Sequence, residues 1–258
     1  MHNPDQFSRT ALLYGTEAME VFRNSRIAVI GLGGVGSFAA EILARSGIGR
    51  FLLVDFDRIG LSNLNRQIPA LHSTIGILKT EAMRDRILDI NPLAEIEIYS
   101  DFCAVESREF LLQNLDFVVD AIDSLGPKTG LIEFCYRQKI PIISCMGAAS
   151  RFDPAKIELV DISKSHICPL AKKVRKYLHR RGIDSGIPVV YSFEKPVPQF
   201  PHETGAEAEW ITGRGRKRGT LGSVAYMPAI IGMWAASYVL QNLSVKISGG
   251  KNEDPLQY

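Results

Sequence analysis

The segment Arg26-Ile-Ala-Val-Ile-Gly-Leu-Gly-Gly-Val-Gly-Ser37 constrains this chain more than any other. Ile27 to Ile30 is a short apolar run of buried-strand type, Gly31, Gly33 and Gly36 form G-x-G-x-x-G, and the residues from Ser37 to Arg45 continue at helical spacing. The pattern is strand, tight turn, helix. Glycine is needed there because a Cβ would block both the turn and the close approach of backbone N–H groups to a phosphate at the positive end of the new helix. Gly34 stands between the second and third of these glycines. Phe51-Leu-Leu-Val-Asp55 reads as the next strand, and Asp55 falls near the ~20-residue spacing at which a ribose-binding acid belongs.

A chain of 258 residues with 46% apolar composition can bury a substantial α/β core. The net charge of +2 means that any nucleic-acid contact must come from local clusters. Cys103, Cys135, Cys145 and Cys168 have neither C-x-x-C spacing nor a disulfide-framework pattern, which favours a reducing compartment and argues against structural zinc. The polar start His2-Asn-Pro-Asp-Gln6 has no basic flank and apolar segment of the signal type, so the chain reads as cytoplasmic.

Residues 7–24 read as an amphipathic arm in which Thr16 is the expected helix cap and Met19 and Phe22 share a face. Arg9, on this arm, reads from the residues alone as a solvated charge. After Asp55 come Asp57 and then Ser62-Asn63-Leu-Asn65-Arg66-Gln67, and Lys79 opens a helix that runs to Asp89 before Asn91-Pro92. An NAD-dependent dehydrogenase or nucleotide-sensing module needs only the glycine turn and the ribose acid. Asn63, Arg66 and Lys79 are additional donors, suited to a third phosphate where charge builds up as pyrophosphate leaves. The alternative is a charged surface loop.

Further strands are expected at Ile96 to Tyr99 and Asp116 to Asp123, separated by a helix over Glu106 to Gln113. Ligands of open parallel sheets bind beyond the carboxyl ends of the strands, so Asp123 is the candidate for Mg²⁺, and Asp120 reads as a backbone or helix-cap partner. A helix over Lys128 to Lys139 and a strand over Pro141 to Cys145 continue the alternation. Lys156 to Asp161 then alternates like an antiparallel or edge strand, and Val189 to Phe193 is another strand. The predicted fold is therefore α/β: a Rossmann-like, mainly parallel sheet with helices on both faces, extended by antiparallel strands in the C-terminal part.

Pro169 to Arg181 reads as a helix with a narrow apolar stripe. Its remaining surface carries Lys172, Lys173, Arg175, Lys176, Arg180 and Arg181 with no acid among them, which suggests nucleic-acid contact against the alternative of a solvated face. Cys168, at its start, reads as a buried thiol. Pro196 to Gly219, with Pro196, Pro198, Pro201, Arg214, Arg216, Lys217 and Arg218, reads as a crossover loop over the site. Leu221 to Leu240 has no charged residue; it reads as a buried core helix, with membrane contact as the alternative. The tail from Ser248 to Pro255 reads as frayed.

Gly31-x-Gly-Gly-x-Gly36, Asp55-x-Asp57, Ser62-Asn63-Leu-Asn65-Arg66-Gln67, Lys79 and Asp123, in this order and spacing, resemble the ubiquitin-activating-enzyme-like adenylating superfamily. Within it, Phe7-Ser-Arg-Thr-Ala-Leu-Leu-Tyr-Gly15, Val119-Asp-Ala-Ile-Asp-Ser124 and Asp161-Ile-Ser-Lys164 followed by the basic helix are similar to the tRNA threonylcarbamoyladenosine dehydratases. The resemblance implies one adenylating domain over 1–258: an arm (1–25), a nucleotide-binding core (26–147) and a C-terminal extension (148–258). It implies ATP and Mg²⁺, with ribose on Asp55, phosphates on Asn63, Arg66 and Lys79, and metal on Asp123. It also implies a homodimer in which Arg9 reaches the partner subunit's site, and tRNA as substrate. The paired C-x-x-C motifs of the sulfur-carrier activators are missing, which argues against a ubiquitin-like sulfur carrier as the alternative substrate. Some dehydratases carry a cysteine before the last helix; Gly222-Ser-Val-Ala-Tyr226 has none, which puts in doubt a thioester or persulfide step and leaves open a sulfur-relay protein as partner.

Overall fold

The computed structural model describes residues 6–200 and 221–245. After two short helices, α1 (Ser8–Tyr14) and α2 (Thr16–Asn24), the chain enters β1 (Arg26–Ile30), α3 (Gly36–Arg45), β2 (Arg50–Val54), α4 (Lys79–Ile90) and β3 (Glu95–Tyr99). It continues through α5 (Val105–Leu111), β4 (Phe117–Asp120), α6 (Leu125–Gln138), β5 (Ile142–Cys145) and β6 (Ile157–Asp161), then α7 (Pro169–His179), β7 (Pro188–Ser192) and α8 (Tyr226–Val245). The strands form one seven-stranded sheet in the order β3-β2-β1-β4-β5-β7-β6. All neighbouring pairs are parallel except β6 with β7, where Ile157 pairs with Ser192 and Asp161 with Pro188. The expected antiparallel extension is this edge strand.

Successive strand residues feed opposite faces. Ile27 and Val29 of β1 join Phe51 and Leu53 of β2 in a cluster with α2, α3, α4 and α8, while Ala28, Ile30, Leu52 and Val54 join α5, α6 and α7 on the other side. Strands covered on both faces lack a polar side, which is why they read as continuous apolar runs. The uncharged C-terminal stretch is α8, whose Met227, Ile231, Ala235, Val239 and Leu243 are buried. Among the described residues no helix is long and apolar enough to cross a membrane. Gly232 lets α8 press on α3: a Cβ there would fall 2.3 Å from the Val35 carbonyl oxygen.

Several expected boundaries are corrected. Gly15, at φ +85°, separates α1 from α2 and caps the latter, so Thr16 is already helical. α6 starts three residues before Lys128, α7 stops at His179, and α8 is displaced toward the C-terminus. Most of the expected crossover loop, including Arg214, Arg216, Lys217 and Arg218, lies outside the described residues, as does the Ser248 to Pro255 tail.

Candidate active site

The sheet changes direction between β1 and β4, and the ends of these two strands open the crevice in which such folds place a ligand. The glycines at the end of β1 divide the work. Gly31 has φ +92°, and a Cβ on it would meet the Ala121 carbonyl oxygen at 2.8 Å, so the turn lies against the end of β4. A Cβ on Gly36 would fall 1.8 Å from the Gly31 oxygen, and one on Gly34 would crowd the Arg66 carbonyl oxygen and Pro228 of α8, each at 3.1 Å. Gly33 is different: nothing stands within 4 Å of its Cβ position. Three glycines are packed against protein and the fourth faces open space at the N-terminus of α3, where a phosphate is favoured.

Asp55 is buried at the end of β2. Its Oδ2 accepts from the Leu32 N–H at 2.6 Å and its Oδ1 from the Asp57 N–H at 2.8 Å, so the expected ribose acid also braces the glycine turn. Burial raises its pKa, and the Lys79 charge pulls the other way. Lys79, the first residue of α4, is itself buried and donates through Nζ to Asp57 Oδ2 at 2.7 Å. Lys79, Asp57, Asp55 and Leu32 thus form one hydrogen-bonded chain that ends in the glycine turn. Asn63 is buried, with Oδ1 accepting from the Gly60 N–H at 3.1 Å. Arg66 donates through Nη1 to the Ser62 carbonyl at 2.8 Å and Asn65 Oδ1 at 2.9 Å. Asn65 Nδ2 donates to the Ser223 carbonyl at 3.1 Å, which ties this segment to the approach of α8. Phe56 and Phe102 stack beyond β2 and β3 with ring centroids 3.8 Å apart, a pair that sequence spacing did not reveal.

Asp123 is exposed in the turn after β4, with Ser124 Oγ 3.3 Å from its Oδ1. Among the described residues no three His, Cys, Asp or Glu side chains converge on a metal position. Mg²⁺ suits such a place, because it commonly takes one or two carboxylates and completes its shell with phosphate oxygens and water. Asp120 is not merely a backbone partner. It accepts from the Ile122 N–H at 3.1 Å, but its Oδ2 also takes Lys128 Nζ at 2.7 Å and Ser144 Oγ at 2.6 Å.

Two groups of expected residues separate from this cluster. Arg9 is exposed on α1 and follows Phe7, whose ring lies against Gly47 beyond the far end of α3. The intervening helix is about 15 Å long, so Arg9 is not gathered at its own chain's glycine turn. The uniform cationic face of α7 is also corrected. Arg175 donates to the Ser165 carbonyl and hydroxyl, and Arg181 pairs with Glu133 at 3.2 Å, so both have partners within the protein. Arg180 lies over the Tyr177 ring, 5.7 Å from its centroid, while Lys172, Lys173 and Lys176 are exposed. Cys168 caps α7 and is buried, as are the other three cysteines.

The fold and this site define a Rossmann-type nucleotide-binding domain of the adenylating class. The chain belongs to the ThiF family, whose model matches residues 7–257. It is 42% identical over 242 residues to a tRNA threonylcarbamoyladenosine dehydratase of Bacillus subtilis (strain 168), covering 92% of this chain and 94% of the relative. It is 37% identical over 255 residues to the dehydratase of the same name from Escherichia coli (strain K12), covering 93% and 94%. The crystal structure of E. coli tRNA N6-threonylcarbamoyladenosine dehydratase, TcdA, in complex with ATP superimposes with a TM-score of 0.82 at 35% identity, covering 95% of this chain and 96% of that one.

Proposed function

We propose that this protein is an ATP-dependent tRNA threonylcarbamoyladenosine dehydratase that acts as a single adenylating domain. The carrying observation is the hydrogen-bonded chain from Lys79 through Asp57 and Asp55 to Leu32, which links a buried cation to the residues that brace the glycine turn. A dinucleotide site has no use for that cation; a site that stabilises departing pyrophosphate does.

A carboxylate is a poor electrophile because its leaving group would be oxide. Its oxygen attacks the α-phosphorus of ATP, the bond to the β-phosphate bridge breaks, and pyrophosphate departs. A nucleophile of the same threonylcarbamoyl group then attacks the carbonyl carbon and AMP leaves, closing the ring with net loss of water. The protein contributes position and charge: Gly33 leaves room for phosphate, Asp55 takes the ribose, and Asn63, Arg66 and Lys79 hold the phosphates. Asp123 would hold Mg²⁺, which would supply neutralisation of charge on the phosphates.

The enzyme works as a homodimer with Arg9 serving the partner subunit's site. Leu12 and Leu13 of α1 are 89% and 83% exposed, an apolar surface beside Arg9 that a second copy would cover. Lys172, Lys173, Lys176 and Arg180 form the tRNA-facing surface of α7. Four buried free thiols fit a reducing cytoplasm, and none of them is presented to a sulfur-relay protein.

The test is ATP–pyrophosphate exchange measured with threonylcarbamoyladenosine-bearing tRNA and, separately, with a ubiquitin-like sulfur carrier ending in Gly-Gly, together with mass spectrometry of the tRNA nucleosides. Exchange and the dehydrated nucleoside with tRNA alone are expected. Exchange with the carrier alone would overturn the assignment.

A further inference from the structure

The side chains of Asp120, Lys128 and Ser144 form a polar cluster with no solvent exposure in the middle of the molecule. Asp120 ends β4 and pairs in register with Ile30 of β1 and Ser144 of β5, so it stands at the strand where the sheet changes direction. Its carboxylate is fully engaged by Lys128 Nζ, Ser144 Oγ and the Ile122 N–H. Lys128 also reaches the Asp120 carbonyl at 3.5 Å, and its own N–H bonds to the Ser124 carbonyl at 3.0 Å in the first turn of α6.

A buried ion pair is poor value for stability, since removing both charges from water offsets most of their attraction, and apolar replacements of similar volume are often neutral or better. What this pair does is fix a backbone. The four residues after β4 are held at one end by Asp120 and at the other by Lys128. Within that span the Ala121 carbonyl packs against Gly31, and Asp123 projects outward.

We infer that Asp120, Lys128 and Ser144 are positioning residues for the metal site: the buried pair sets the Ala121 to Ser124 turn so that Asp123 meets a cation bound to the phosphates on the neighbouring glycine turn. The inference rests on the reading of Asp123 as the metal ligand.

The test compares D123A, S144A and the double variant D120L/K128M with the wild type, since removing one charge alone would leave the other buried and strongly destabilise the protein. Melting temperature reports the fold. The ratio of the ATP dissociation constants without and with Mg²⁺, from titration calorimetry, reports the metal site independently of turnover. The double variant is expected to fold, with the ratio falling toward one and adenylation at least tenfold slower. S144A should lower the ratio several-fold.

A folded double variant with the wild-type ratio overturns the inference. If it does not fold, S144A decides: a reduced ratio supports the inference and an unchanged one overturns it. D123A separates the two levels. If its ratio falls while the double variant keeps the wild-type value, only the positioning role fails; if its own ratio is unchanged, the metal assignment fails and the inference with it.

Discussion

Gly33→Ala offers the sharpest separation of binding from folding in this molecule. The backbone at Gly33 lies outside the left-handed region and its Cβ position touches nothing within 4 Å, so alanine fits the protein as it stands. Such a replacement restricts the unfolded chain and commonly adds about 0.4–1 kcal/mol, or roughly 1–3 °C in melting temperature for a chain of this size. The same methyl group would stand where phosphate oxygens must approach the N-terminus of α3. Forcing one methyl group into a filled space costs about 1–3 kcal/mol, which corresponds to an ATP dissociation constant weaker by roughly 5- to 150-fold. Calorimetric titration with Mg²⁺–ATP and a thermal melt measure both quantities on one sample. Gly36→Ala is the contrast, because its Cβ would overlap the Gly31 oxygen at 1.8 Å and the variant should melt far lower or not fold. Wild-type ATP affinity in a fully folded Gly33→Ala protein would refute the phosphate assignment. A large drop in its melting temperature would refute the claim that the space at Gly33 is free.

Lys79→Met should weaken ATP binding by about 10- to 150-fold, the worth of charge-assisted hydrogen bonds, and change stability by under about 1 kcal/mol because Asp57 is 42% exposed. Calorimetry and thermal melting check the two parts. Mixing inactive Arg9→Ala with inactive Lys79→Met subunits should restore roughly a quarter of the wild-type turnover if a homodimer exchanges subunits and Arg9 acts across the interface; no recovery would place Arg9 elsewhere. Reversing Lys172, Lys173 and Lys176 to Glu should lower tRNA affinity and flatten the log affinity against log salt plot by about 2–3 units. Arg175→Ala should instead leave that slope unchanged and lower the melting temperature, since its guanidinium is committed to Ser165. Burial pushes the Cys135 and Cys145 thiols up to about 12, so at pH 8 both stay protonated and non-nucleophilic. Ellman's reagent should find no reactive thiol in native protein and four after denaturation.

Most of the sheet was legible because its signals are local. An apolar run, a glycine turn and a helical stripe repeat along the first half, and the alternation in Lys156 to Asp161 announced the antiparallel edge. What stayed hidden were partners supplied from elsewhere in the chain. Arg175 and Arg181 looked like free charges because no acid lies on α7, yet Ser165 and Glu133 engage them. Lys128 read as an ordinary helix residue, since nothing in its spacing shows that it points inward to Asp120. Thr16 read as the helix cap, but the chain turns at Gly15, whose positive φ puts the cap one residue earlier. At the candidate site the residue types were readable and their couplings were not: Asp55 could be picked out as a candidate ribose acid, and its grip on the Leu32 N–H required the structure.

The contact of α8 with the start of α3 has a consequence for how the protein comes into being. Pro228 lies over Gly34, Gly232 sits on Val35, and Ser223 receives Asn65, so the glycine turn, which follows the first strand, is buttressed by a helix that follows all seven. A nascent chain lacking α8 has the glycines and the aspartate and still leaves one wall of the turn uncovered. The glycine turn, complete in sequence by Gly36, thus depends for one wall on a helix that begins only at Tyr226, and a chain truncated before Tyr226 should bind ATP more weakly than the whole protein.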